Sequence, residues 1–229
     1  FNDPKNKDYN SNNTIMSYNP GENGWDTWFS QNDLNALIKI WGRENDNGYI
    51  SYEKRSKDYK YKKNIDNTYS IKTDIGYEDI SNIETLKFTD KSINVVDDVI
   101  GVFDMITGLE DISGKLYRLY NAAFARFPDK EGLKYWINNN ISLKDSFKDT
   151  AKSFISSEEF LNTYGVNSSN ENFLSSLYAN VLDRSPDIEG FNYWLNQINS
   201  GHEARDELLM GFSESAENKS LFSAETNIF

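Results

Sequence analysis

The chain copies itself at a fixed spacing. Ala125-Arg126-Phe127-Pro128-Asp129-Lys130-Glu131-Gly132-Leu133-Lys134-Tyr135-Trp136 matches Asp183-Arg184-Ser185-Pro186-Asp187-Ile188-Glu189-Gly190-Phe191-Asn192-Tyr193-Trp194 with an offset of 58 residues. Leu119-Tyr120 and Leu177-Tyr178 keep that offset, as do Phe154 and Phe212. An ungapped match of this length marks duplication of one supersecondary unit, and such units stack to bury a common core. Each copy reads as a helix, a Pro-Asp turn, a Tyr-Trp helix and a further helix. Two copies predict one helical domain over residues 111–229.

The preceding part follows other rules. Residues 1–29 are polar, rich in Asn and Gly, and read as loop. Ser30 can cap a helix whose apolar stripe is Leu34, Leu37, Ile38 and Trp41, with Gly42 placed to end it. Residues 43–57 are polar and charged, and Glu44–Ile50 within them reads as a turn. Alternation then begins: Tyr59 and Tyr61, a turn at Asn64–Asn67, then Tyr69 and Ile71, which predicts a hairpin. Glu84–Phe88 reads as a further short strand. Val95, Val96, Val99, Ile100, Val102, Phe103 and Met105 form an apolar cluster in a mixed stretch. The fold class predicted is α+β: a loop and helix over 1–45, a β-rich connector over 46–110 and the duplicated helices over 111–229.

Composition removes several functions. The chain has 229 residues and no cysteine, so disulfides, thiol catalysis and Cys-type zinc sites are excluded. A net charge of -12 opposes a nucleic-acid partner. No apolar run is long enough to span a bilayer. No phosphate-binding glycine loop, dinucleotide fingerprint or nucleophile elbow is present.

Candidate binding residues sit in the repeat. Arg126 and Arg184 each stand three residues before an Asp at a Pro-containing turn. They could bind a ligand; the favoured reading is that each bonds the Asp or helix-end carbonyls and fixes the turn. Tyr135-Trp136 and Tyr193-Trp194 could form a sugar-stacking platform, with Trp136 and Trp194 as ligand-binding residues; the favoured reading is core. Glu44–Ile50 hints at a calcium loop, but Gly48 at position six puts Arg43 and Lys54 where carboxylates belong. Lys54, Arg55, Lys57, Lys60, Lys62 and Lys63, interleaved with tyrosines, could form a nucleic-acid patch; the favoured reading, given the net charge of -12, is a solvated strand face protecting an edge. His202, the single histidine, reads as a surface residue.

Thr14-Ile15-Met16-Ser17-Tyr18 resembles the Met-turn of serralysin-like zinc proteases of the metzincin class, with tyrosine two residues after methionine. Phe29–Gly42 is similar to the helix that follows that turn. The resemblance covers about the first 45 residues. It implies that Met16 forms an apolar floor beneath a zinc ion, and that Tyr18 is a weak fifth zinc ligand and a transition-state hydrogen-bond donor. The zinc-binding histidines and the general-base glutamate of that family are absent here. The chain is therefore expected to be the C-terminal portion of a secreted bacterial metalloendopeptidase acting on protein or peptide substrates. It is expected to be inactive as it stands, with zinc bound only in the parent enzyme.

Gly76–Asp90 resembles the closing segment of RTX-type secreted proteins, which makes calcium possible in the parent protein. Residues 115–222 resemble a bacterial domain of unknown function found at the C-termini of such proteins. Its placement implies a cap, a secretion aid, or attachment to a surface layer or cell-surface glycan. The alternative expectation is a non-catalytic extracellular adhesion, surface-layer or glycan-binding module.

Overall fold

A computed structural model of the chain describes residues 48–229. Met16 and Tyr18 of the expected Met-turn, the loop expected over 1–29 and the helix expected after Ser30 lie outside the described residues.

Among the described residues, six short strands come first. β1 (Tyr49–Ser51) pairs in parallel with β5 (Thr85–Lys87), which pairs antiparallel with β6 (Ser92–Asn94). The strand β1 thus begins within the stretch Glu44–Ile50 expected to be a turn. Its alternation is too short to show in sequence, and its partner lies more than thirty positions away. β2 (Lys60–Lys63), β3 (Tyr69–Thr73) and β4 (Gly76–Asp79) form a second, antiparallel sheet. The expected hairpin is β2–β3, with Lys63 opposite Tyr69 across the Asn64–Asn67 turn. Asn67 has φ 61° there, a left-handed conformation that asparagine tolerates.

Val95–Ile100 then forms a π-helical turn that runs into α1 (Gly101–Phe103). Of the apolar cluster, Val95, Val99, Val102 and Phe103 are buried, and Val96 faces outward.

The duplicated part has four helices per copy rather than three. The first copy is α2 (Ile112–Phe124), α3 (Lys130–Ile141), α4 (Phe147–Ile155) and α5 (Glu158–Tyr164). The second is α6 (Asn170–Leu182), α7 (Ile188–Asn199), α8 (Arg205–Ser213) and α9 (Ala216–Thr226). The break between the third and fourth helices is a capping serine: Ser157 accepts from the Phe160 N–H and Ser215 from the Asn218 N–H. A hydrophobic count alone runs through that break. The first three helices of each copy start and end 58 residues apart; the fourth has 7 residues in α5 and 11 in α9.

The repeated motif has a physical logic. Ala125 and Asp183 end the first helix of each copy in the left-handed region, at φ 51° and 54°. Proline follows, then Asp129 or Asp187 caps the next helix by accepting from the Gly132 or Gly190 N–H at 2.7 Å. A Cβ at Gly132 would lie 2.3 Å from the Tyr120 hydroxyl, and one at Gly190 would lie 2.8 Å from that of Tyr178. The conserved spacing of Tyr, Asp and Gly between the copies is therefore one packed corner, used twice.

Equivalent helices meet across the duplication, α2 against α6 and α4 against α8. One hydrophobic core runs from Ile50, Tyr61, Ile71 and Leu86 through Phe103, Leu116 and Leu119 to Phe173, Leu208 and Phe222. Arg118 of α2 lies inside it, 1% exposed. Its Nε and Nη2 donate to the two Glu214 carboxylate oxygens at 2.9 and 2.8 Å, and its Nη1 donates to the Leu109 carbonyl at 2.9 Å. A paired, fully hydrogen-bonded guanidinium is tolerated in a core; an unpaired one is not. Replacing Glu214 with alanine should therefore destabilise the fold by about 3–5 kcal/mol. Chemical denaturation of the wild type and E214A measures the difference.

Candidate functional site

The antiparallel sheet presents two unlike faces because side chains alternate along each strand. Tyr61 and Ile71 are opposite one another and buried. The outward row is Lys60, Lys72 and Tyr77, each directly across from the next. Lys60, Lys72 and Tyr77 are exposed, and the Lys62 ammonium lies 5.6 Å from the Tyr77 ring centre.

Helix α9 packs against β2, the edge strand of that sheet. Between them, with α2 and the end of α6 as further walls, runs a groove of about 490 Å³. Lys60, Lys62, Lys72 and Tyr77 line it from the sheet; Tyr117 and Asn121 line it from α2. Asn180 and Asp183 close one side, and Phe222 and Glu225 stand on α9. Glu225 belongs to the final turn of α9, which has no counterpart in α5.

The electrostatics of the groove centre on Glu225. Burial pushes its carboxyl up to about 7, against the opposing pull of Lys60, the Tyr117 hydrogen bond and Lys72. The Tyr117 hydroxyl donates to Glu225 Oε2 at 3.4 Å. Burial raises the Tyr117 phenol as well, with the Glu225 charge acting in the same direction. A carboxyl poised near neutrality inside a cleft is a mark of a binding or reactive site.

Tyr61 separates this groove from a smaller chamber of about 190 Å³ bounded by Ser56, Lys91, Asp98 and Asp129. Its hydroxyl is buried and has no hydrogen-bond partner among the described residues. Burial first, and Asp98 second, raise its phenol.

The residues singled out from the repeat play other parts. Arg126 donates through Nε and Nη2 to Glu159, the latter bond 3.0 Å long, and Arg184 donates to Glu217 at 2.7 and 3.0 Å. The expected bonds to Asp129 and Asp187 are longer, at 3.4 and 3.5 Å, and each arginine also reaches the next residue's carbonyl. The main partner is therefore a fourth-helix glutamate, and the arginine ties that helix to the Pro-Asp turn. Trp136 is partly buried, edge-on to Phe154 with ring centres 5.3 Å apart; Trp194 lies 6.3 Å from Phe212. Tyr135 and Tyr193 are the exposed members of each pair. None of these four aromatic residues lines the groove. His202 is exposed, with Nδ1 2.6 Å from the Ser200 hydroxyl.

Sequence reasoning missed Glu159, Glu217, Arg118, Glu214 and Glu225. The first two carried a signal: Ser157-x-Glu159 recurs as Ser215-x-Glu217 at the same offset of 58 residues. The other three carried none, because Arg118 and Glu214 align with Ser176 and Ser156.

Among the described residues, no group of three or more His, Asp or Glu is arranged to hold a metal ion. No helix among them is long and apolar enough to cross a membrane. Residues 151–222 match a family described as a domain of unknown function, DUF4214. The match begins within α4 and so takes in the end of the first copy and most of the second. No curated protein matches the chain, and no solved structure does.

Glu225 makes stability depend on pH with a definite sign. Its folded value near 7 exceeds the ordinary 4.5. The fold therefore favours the protonated form, and this contribution is complete below about 4.5 and lost as pH rises through 7. Glu225→Gln should remove the loss. The stability of E225Q relative to wild type should rise between pH 4 and pH 8 by at most about 3 kcal/mol, read by denaturant melts of both proteins.

Proposed function

We propose that residues 48–229 form a binding module for a hydroxyl-rich extracellular ligand, a cell-surface or surface-layer glycan, seated in the groove between the β2–β4 sheet and α9. The observation that carries this reading is the groove itself. It offers the Tyr77 ring, 51% exposed at the wall, beside the Asn121 and Asn180 side chains and the Glu225 carboxyl. Sugars present apolar ring faces that stack on aromatic rings and hydroxyls that pair with amides and carboxyls. The duplicated Tyr-Trp pairs fit the role less well, because each tryptophan is turned into the helical packing.

Pull-down on immobilised polysaccharides, with the full chain, tests the reading. Tyr77→Ala should weaken retention by about tenfold. Trp136→Ala and Trp194→Ala, checked for folding, should leave it unchanged. Loss in the tryptophan variants alone would move the site to their platform, and absence of retention on every polysaccharide would sink the proposal.

Thr14–Tyr18 supports a second reading for the protein that carries this module. On its resemblance to the metzincin Met-turn, that protein is a secreted bacterial zinc metalloendopeptidase, with Met16 beneath the metal and Tyr18 beside it. Zinc would then be held by histidines that this chain does not contain. Two measurements bear on it. The coding sequence before Phe1 should read H-E-x-x-H-x-x-G-x-x-H in frame. Calorimetry on the chain itself should show no stoichiometric zinc at neutral pH, and tight binding abolished by Tyr18→Phe would contradict this.

A further inference from the structure

Lysines on an edge strand have an ordinary explanation, since they discourage pairing with another chain. It covers Lys60 and Lys62 on β2 and does not cover Lys72, which lies on the central strand of its sheet. Lys60 and Lys72 are direct cross-strand partners. Like charges in that position repel and weaken the sheet. What offsets them is slight. Asp183 is 3.9 Å from Lys60 and solvent-exposed, and Lys57, Lys62 and Lys72 have no ion-pair partner among the described residues. The two arginines at the groove are already neutralised, Arg118 by Glu214 and Arg126 by Glu159.

The groove wall is thus a cluster of ammonium groups offset only by exposed Asp183 and by Glu225, whose burial favours its neutral form, on a chain of net charge -12. A local rule broken at a cleft, with so little compensation inside the fold, is a signature of a site shaped for something else. Lys60, Lys72 and Tyr77 stand in one row, so a cationic pair adjoins an aromatic face.

We propose that the groove selects acidic polysaccharides, with a carboxylate or sulfate of the sugar chain held between Lys60 and Lys72 and a ring face against Tyr77. The inference rests on the glycan reading above and adds the charge of the ligand. The tyrosine and the groove amides favour a sugar over an acidic peptide. Charge also draws such a ligand to the groove against the repulsion of the remaining surface.

The groups facing Glu225 set how this binding responds to pH. They are Lys60 on β2, Lys72 on β3, Tyr77 on β4 and Tyr117 on α2. Asp183, after α6, acts on the same Tyr77 and lines the same groove. Burial raises the phenols of Tyr77 and Tyr117, so both stay neutral through the neutral range. Glu225 changes. Its protonated form leaves the lysine pair free for an anion, and its carboxylate competes for the same pair. Affinity for an acidic glycan should fall as pH rises from 6 to 8, and E225Q should lose that dependence.

Calorimetry of the full chain tests the proposal with polygalacturonate, alginate and heparin fragments, fully methyl-esterified polygalacturonate, and poly-glutamate. At least one acidic fragment should bind. Methyl esterification, high salt, or the double change Lys60→Gln and Lys72→Gln should weaken it by about tenfold or more. Both lysines are exposed, so the variant should fold, which circular dichroism checks. Equal binding of the esterified chain would overturn the charge selectivity and leave the glycan reading standing. Poly-glutamate binding as tightly as the best sugar would overturn the sugar class. Failure of every acidic fragment would overturn the proposal, and only failure of neutral polysaccharides as well would remove the glycan reading with it.

Discussion

The Arg118–Glu214 pair ties the architecture together. It joins residues 96 positions apart, from the first helix of one copy to the third–fourth helix junction of the other. Phe222 packs 4.8 Å from the guanidinium carbon, so the same arginine also seats α9. Helix α9 in turn covers the edge of β2 and forms one wall of the groove. Without the pair, a charge would remain in the core and the helix that joins sheet to bundle would lose its anchor. The duplicated units match closely at their corners, yet their union depends on residues that do not match at all.

That contrast explains what could be read in the sequence. The corner of each copy was legible because Tyr, Pro, Asp and Gly are each demanded by local geometry, and local geometry repeats with the unit. The β2–β3 hairpin was legible because Tyr61 and Ile71 alternate with lysines across a turn rich in asparagine. The split between α4 and α5 was hidden by the continuity of the apolar pattern; only Ser157 announces it. β1 was hidden because a three-residue strand has no period to detect. Arg126 and Arg184 stand at the turn, while their glutamate partners needed the third dimension. The groove was illegible for a different reason: its walls come from β2, β3, β4, α2, α6 and α9, and no spacing in the chain brings Lys60, Tyr117 and Glu225 together.

Divergence between the copies shaped the groove. The two fourth helices begin alike, but α9 continues for four residues beyond the equivalent of Tyr164, and that extension carries Glu225. Position 117, buried tyrosine in the first copy, is Ser175 in the second. The matched residues supply the repeated corners, and the unmatched ones supply both the pair that joins the copies and the groove.

The cover that α9 places on β2 also orders events in time. During synthesis the sheet emerges well before residues 216–226, so its outer strand stays open to stray pairing until the final helix arrives. The lysines spaced along that strand guard it during the interval. Once α9 docks, the guard is no longer needed for that purpose, and the same ammonium groups are left lining the space that docking has created.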